Sequence, residues 1–245
     1  MHAMGAKNLM IRAIFFDLYC TLIDIYTDEG DARVYEALSR YLAYHSVSIQ
    51  PHELRGVFFS LVEQQLAQSE EKYPEPDVFR VFGEIMEKYG KGLYPDQSVL
   101  DATVLFRSLT MRRFGLFPAV ADTLAELSKT FRLGLISDAQ WTFTEPEIRM
   151  LGLDRFFPII LLSSRFGYKK PDTRLFAEAM QRLGVTPEES VYIGDSLSKD
   201  MVGSKTAGMK FILFQSEWKE VKGFAPDAWM GDYRELPGLL KRLAE

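Results

Sequence analysis

The chain has 245 residues, 47% hydrophobic and 26% charged, with a formal charge of -5; that is enough for one large or two modest globular domains. Lysine and arginine are dispersed, which leaves no basic footprint for nucleic acid, and no run approaches about 18 uncharged apolar residues, so no membrane span is expected. One cysteine (Cys20) and three histidines without zinc spacing argue against a disulfide and a Cys/His metal centre, while the start MHAMGAKNLM lacks the apolar stretch of a signal peptide and reads as a disordered lead-in, with the cytoplasm as the expected location.

The run LMIRAIFF at 9–16 is short and apolar and stops at Asp17, so it reads as a buried strand. Helical stripes follow. Val34, Leu38 and Leu42 recur at helical spacing within 31–45, and Leu54, Phe58 and Leu61 do so within 51–66, behind Pro51. Val78, Phe82 and Ile85 form a third stripe within 76–90, ahead of Gly90. A fourth helix is expected over about 97–113, after Pro95. Four amphipathic helices in succession predict a small bundle that buries most of its aromatics in a core of its own. From FGLFPAV onward, short strands and helices alternate. Strands are expected at 132–137, 157–163, 190–194 and 210–214. Helices are expected through 145–152, 172–184 and 197–208, then a short edge strand at DAWMG and a last helix at about 234–244. The alternation predicts a parallel α/β sheet. The first strand joins it, which makes the helical section an insertion after that strand.

Ligands of such sheets bind beyond the carboxyl ends of the strands. Asp17 ends the first strand, Ser137 and Asp138 end the second, Lys169 and Lys170 follow the third, and Asp195 and Asp200 follow the fourth. Taken singly, each has a plainer reading: Asp17 or Ser137 as a cap, Asp200 as a solvated helix face, Tyr19 or Trp141 as a packing aromatic. Their convergence on one rim carries the functional reading. Asp17 is a candidate nucleophile. It would repel Asp195 unless a hard cation such as Mg²⁺ sat between them. Lys170 offsets charge on a phosphate and holds Asp17, the hydroxyls of Thr21 and Ser137 hold phosphoryl oxygens, and Asp200 orients Lys170 or a metal-bound water. Trp141 has a sharper reading as well, covering an apolar part of the substrate or a second subunit.

Four segments in order, FFDLYCTL, GLISDAQ, GYKKPDTRLF and YIGDSLSKDMVGSKTAGM, resemble the motifs of the haloacid dehalogenase-like hydrolase superfamily, in the subclass with a helical cap inserted after the first motif. The resemblance covers about 11–215. It implies a Rossmann-like parallel-sheet core, built from 9–21 and 115–245, with 22–114 as a helical-bundle cap. It implies Asp17 as covalent nucleophile with Thr21 as its motif partner, Ser137 as the phosphate-binding hydroxyl and Lys170 as the motif lysine, which makes Lys169 a bystander. Asp195 becomes a metal ligand beside Asp17 and the backbone carbonyl of Tyr19, and Asp200 the supporting acid. Tyr19, Asp138 and Trp141 are the expected substrate contacts.

Two residues depart from the family pattern. Phosphatases of this kind place an aspartate, which protonates the leaving group, where this chain has Tyr19; tyrosine, with a pKa of about 10, is a poor acid at neutral pH. Tyrosine there resembles the metal-free 2-haloacid dehalogenase branch, which expels a halide that needs no proton and carries an arginine at the cap entrance. Arg33, Arg40 and Arg55 are nearby in sequence without a clear match. Asp195 does not fit that branch, because a second carboxylate repels both Asp17 and an incoming carboxylate substrate. Cys20 stands where glycine is usual. The expected function is a Mg²⁺-dependent phosphatase acting on a small molecule as a monomer or homodimer, with a haloacid dehalogenase or an idle binding module on the same scaffold as the alternatives.

Overall fold

The computed structural model describes residues 10–244, and the lead-in expected at the extreme N-terminus falls, up to residue 9, outside them. Eight strands are described: β1 (Ala13–Phe16), β2 (Ile23–Thr27), β3 (Met111–Leu116), β4 (Arg132–Ser137), β5 (Ile159–Leu162), β6 (Ser190–Gly194), β7 (Lys210–Phe214) and β8 (Ala228–Met230). Six of them form a parallel sheet in the order β5-β4-β1-β6-β7-β8. The alternation of side chains along β1 explains its central place. Ile14 and Phe16 enter the cluster on one face, with Leu133 and Leu135 of β4 and Val191 and Ile193 of β6. Ala13 and Phe15 enter the cluster on the other, with Ile136 and Tyr192. A strand buried on both faces must read as a continuous apolar run. Close packing adds a constraint at Gly134, where a Cβ would lie 2.7 Å from the Phe15 ring.

Helices α5 (Val120–Leu127), α6 (Trp141–Met150) and α9 (Leu236–Ala244) cover the first face. Helices α7 (Thr173–Leu183) and α8 (Val202–Thr206) cover the second. Between β2 and β3 lie α1 (Ala32–Tyr44), α2 (Pro51–Gln68), α3 (Val78–Tyr89) and α4 (Asp96–Thr110). These four share a separate core, with Tyr35, Leu38, Leu54, Phe58, Phe82 and Phe106 in it. Each fully buried aromatic or leucine there contributes roughly 1.5–3 kcal/mol of transfer energy. No helix among the described residues is long and apolar enough to cross a membrane.

Three expectations need correction. The fourth helix stops at Thr110, where the Met111 N–H and the Thr110 hydroxyl both turn back to the Arg107 carbonyl. Residues 111–116 instead form β3, antiparallel to β2, a ribbon at the root of the insertion. Second, α6 begins at Trp141 rather than near Glu145, because the Trp141 N–H finds a cap in Ser164 Oγ at 2.9 Å; Pro146 therefore lies inside the helix instead of starting it. Third, the helix expected over 197–208 opens as a wide turn over Leu197–Met201, in which the Asp200 and Met201 N–H groups both reach the Ser196 carbonyl.

Candidate active site

The three central strands end at one rim. β1 runs into Asp17, whose N–H donates to the Ile193 carbonyl of β6 at 2.9 Å. The chain then turns tightly, because the Leu18 carbonyl accepts from Leu22 N–H at 2.8 Å and Ile23 N–H at 2.9 Å. Cys20 takes a φ of 60° in this turn, the left-handed region that suits glycine, so its side chain is accommodated at the cost of local strain. Ser137 ends β4, and Asp195 follows β6 directly.

Lys170 is the hub. Its ammonium lies 2.8 Å from Asp17 Oδ1, off the line of a hydrogen bond, and 2.6 Å from Asp200 Oδ1. Its backbone N–H donates to Asp138 Oδ1 at 2.9 Å. Asp200 is fully buried and also accepts the Ser196 N–H at 3.0 Å. Gly194 makes that possible, since a Cβ at this position would meet Asp200 Oδ2 at 2.4 Å. The Thr21 hydroxyl donates to Asp195 Oδ1 at 3.2 Å. Thr21 is thus a support for Asp195 and stands behind the cleft wall.

One oxygen from each of Asp17, Asp195 and Asp200 lies within 4.8 Å of the others. Three carboxylates face a single ammonium, and the electrostatics follow from that imbalance. Burial alone would draw the Lys170 ammonium down; Asp17 and Asp200 overturn this and hold it well above its ordinary value. Burial, and then the charge of Asp17, push the Asp195 carboxyl up against the pull of Lys170 and Thr21. Burial raises Asp200 too, opposed by Lys170. Hard oxygen donors with surplus negative charge fit a divalent cation. A cavity of about 280 Å³ opens on this group, with Ser137, Asp138 and the half-exposed Lys199 on its wall. Lys199 lies 3.3 Å from Asp138 Oδ2 and was not anticipated from the sequence.

Tyr19 also lines this cavity, but its hydroxyl is committed elsewhere. It donates to Glu147 Oε2 at 2.5 Å and lies 2.8 Å from Thr144 Oγ1, both on α6. Burial is the main force that pushes the phenol far above its ordinary pKa, and the Arg107 cation only partly opposes it. Glu147 in turn takes Arg107 of α4 in a fork, at 2.7 Å and 3.1 Å. Neither Glu147 nor Arg107 was singled out from the sequence. The available signal was a polar stripe (Thr103, Arg107, Thr110) beside the apolar stripe of α4, at helical spacing.

Trp141 is not brought into the cleft. Its ring packs on Phe79 of α3 at 5.5 Å, and the Arg165 guanidinium covers it at 3.9 Å. Lys169 turns away as well: its ammonium lies 3.7 Å from Glu75, and its N–H donates to the Tyr73 carbonyl at 2.9 Å. Arg33 pairs with Asp31, Arg40 donates to Glu36 of its own helix, and Arg55 stacks over Phe59, so none of the three stands on the cleft wall.

The family model of the haloacid dehalogenase-like hydrolases matches residues 14–214. The chain belongs to this family. A glyceraldehyde 3-phosphate phosphatase of Methanopyrus kandleri is 26% identical over 256 residues, covering 96% of this chain and 100% of that protein. A phosphoserine phosphatase of Thermus thermophilus is 32% identical over 159 residues, covering 64% of this chain and 62% of that protein. Among solved structures, a 2-haloacid dehalogenase from Pseudomonas syringae pv. Tomato DC3000 superposes with a TM-score of 0.66 at 27% identity, covering 95% of this chain and 99% of that one.

Proposed function

We propose that the chain is a Mg²⁺-dependent phosphatase that hydrolyses a small phosphorylated molecule through Asp17, with the helical insertion of residues 22–114 as a cap on the sheet unit of 9–21 and 115–245. The observation that carries this reading is Asp195, a second carboxylate within 4.8 Å of Asp17 at a site with one ammonium for three acids. Asp17, Asp195 and the Tyr19 carbonyl would hold the cation, which when bound neutralises the surplus charge and polarises a phosphoryl oxygen. Asp17 attacks phosphorus as the bond to the leaving oxygen breaks, and an aspartyl phosphate forms. Water then attacks that phosphorus, the bond to Asp17 breaks, and inorganic phosphate leaves. Lys170 offsets charge on the transferring group, and the Ser137 hydroxyl donates to one of its oxygens. The Tyr19 hydroxyl is engaged with Glu147, so the leaving oxygen takes its proton from water. Poor leaving groups therefore react slowly. The two relatives described above carry phosphatase names, in keeping with this chemistry.

A second reading, a 2-haloacid dehalogenase, is favoured by Tyr19 itself and by the likeness to the Pseudomonas structure. In that case Asp17 displaces halide from carbon, and no acid is needed. One comparison separates the two. With saturating Mg²⁺ the protein should hydrolyse an aryl phosphate, lag on an alkyl phosphate, and leave 2-chloropropionate untouched. Calorimetry should detect Mg²⁺ binding that Asp195→Ala abolishes. Turnover of 2-chloropropionate in chelator, with neither phosphate consumed, would overturn the phosphatase reading.

A further inference from the structure

We infer that Arg107 and Glu147 are positioning residues that tie the Tyr19 hydroxyl, and with it the loop carrying Asp17, to the helical insertion. The knot joins three parts of the chain. Tyr19 comes from the turn after β1, Glu147 and Thr144 come from α6, and Arg107 comes from the last turn of α4. Both carboxylate oxygens of Glu147 and the tyrosine hydroxyl have defined partners. Glu147 Oε1 accepts Arg107 Nε at 2.7 Å; Oε2 accepts Arg107 Nη2 at 3.1 Å and the Tyr19 hydroxyl at 2.5 Å. The tyrosine proton is thereby used, so Thr144 must be the donor in its 2.8 Å contact with the tyrosine oxygen. The guanidinium lies against the faces of Tyr19 and Phe143, with its carbon 5.0 Å and 4.7 Å from the ring centroids. Arg107 is 8% exposed and Glu147 4% exposed.

A dry, bidentate, charge-balanced pair has one low-energy arrangement, and removing either partner strands the other. The pair therefore fixes α4 against α6. Tyr19 transmits that position to the nucleophile loop, because only Leu18 separates it from Asp17 and the Leu18 carbonyl closes the turn. Residue 19 couples the seating of the insertion to the geometry of the cleft. With its hydroxyl proton given to Glu147, the ring has none to give the leaving group.

Tyr19→Phe tests the coupling, since it keeps the ring and deletes only the hydroxyl. For an aryl phosphate, kcat should fall about ten- to a hundredfold with KM within about twofold of the parent, as a small misplacement of the attacking atom would cause. The Mg²⁺ dissociation constant should rise several-fold in calorimetry, and amide hydrogen exchange should quicken over 18–22. Glu147→Gln keeps an acceptor for the tyrosine but loosens Arg107, so exchange should quicken over 103–110 more than over 18–22. The kinetic and metal readouts rest on the phosphatase reading. The exchange readout needs neither substrate nor metal, so it decides the inference even if that reading fails. Parent-like exchange over 18–22 in Tyr19→Phe, and over 103–110 in Glu147→Gln, would overturn it.

Discussion

The cleft and the knot behind it are both buried clusters of charge, joined through Tyr19, yet they are built on opposite terms. The cleft sets Asp17, Asp138, Asp195 and Asp200 against Lys170 and the half-exposed Lys199, an excess of two negative charges. The knot sets Glu147 against Arg107 and fills the remaining valences with a phenol and a hydroxyl. An unbalanced group facing a cavity is poised for something from outside, while a balanced group closed to water holds the chain to itself. A buried ion pair of the second kind is weak evidence for net stability, but removing either partner leaves an uncompensated buried charge. Asp17 and Glu147 are both carboxylates paired to cations, and balance alone separates their roles.

The largest effect should come from Asp17, the proposed reagent of the cleft. Asp17→Asn keeps the size and removes the attacking charge, so turnover of an aryl phosphate should fall by roughly 10³-fold or more. It also leaves Asp195 with one fewer repelling neighbour, so the variant should remain folded. Single-turnover assays with the purified variant measure this, and parent-like turnover would remove Asp17 from the role of nucleophile.

A contact between insertion and core gives a smaller effect that depends on pH. Glu75, from the loop before α3, donates its N–H to the Gly167 carbonyl at 3.0 Å and accepts Gln140 Nε2 at 2.9 Å. Burial pushes its carboxyl up from 4.5 to about 7; Asp138 adds to the rise, and Lys169, Lys199 and Gln140 oppose it. A carboxyl raised in the folded state binds its proton more tightly there than in the unfolded chain. Its contribution is complete below the unfolded pKa and is lost as pH rises through the folded one. Between pH 4.5 and about 7 the loss should reach on the order of 3 kcal/mol. Denaturant unfolding across that range should show less of this slope in Glu75→Gln, and the variant should be more stable than the parent at pH 8. Identical slopes in the two proteins would remove Glu75 as the source.

The cleft was far more legible in the sequence than the knot. Asp17 and Asp195 follow short apolar runs, Ser137 ends one, and Lys170 lies in the loop beyond another; parallel strands gather such residues at one rim whatever their separation in sequence. The strands at 132–137, 190–194 and 210–214 fall as expected because they are buried on both faces. The β2–β3 ribbon escaped because IDIYT and MRRFGL are half polar, and their pairing joins residues about ninety positions apart. Arg107 and Glu147 escaped for a related reason. A charged residue on a helix reads as solvated unless its partner is known, and here the partner is forty residues away on a helix of the other unit. Tyr19 was legible as an anomaly, but its place in the knot depends on contacts 125 and 128 residues distant.

The smallest effect is the sharpest test of the comparison, because the two regions should respond with opposite signs. In the metal-free protein Asp195 is a surplus charge. Burial and Asp17 both disfavour its ionised form, while Lys170 and Thr21 only partly compensate. Asp195→Asn keeps an oxygen to accept the Thr21 hydroxyl and deletes the charge. Relief of like-charge repulsion at this depth should stabilise the metal-free protein by on the order of 1 kcal/mol, since Coulomb terms between partly buried groups exceed those at the surface. For a chain of this size that is a rise in Tm of roughly 2–4 °C. The matched change in the knot, Glu147→Gln, also deletes one buried negative charge, but it leaves the Arg107 cation without a counter-ion and should lower Tm. Adding Mg²⁺ should reverse the order for the cleft alone: the parent gains stability by binding, whereas Asp195→Asn, with a ligand weakened, gains little. Thermal unfolding of the three proteins in chelator and in Mg²⁺ supplies all six values. A lower Tm for Asp195→Asn in chelator would mean that the cleft charges are already balanced without a cation, and the contrast between the two clusters would fail at its base.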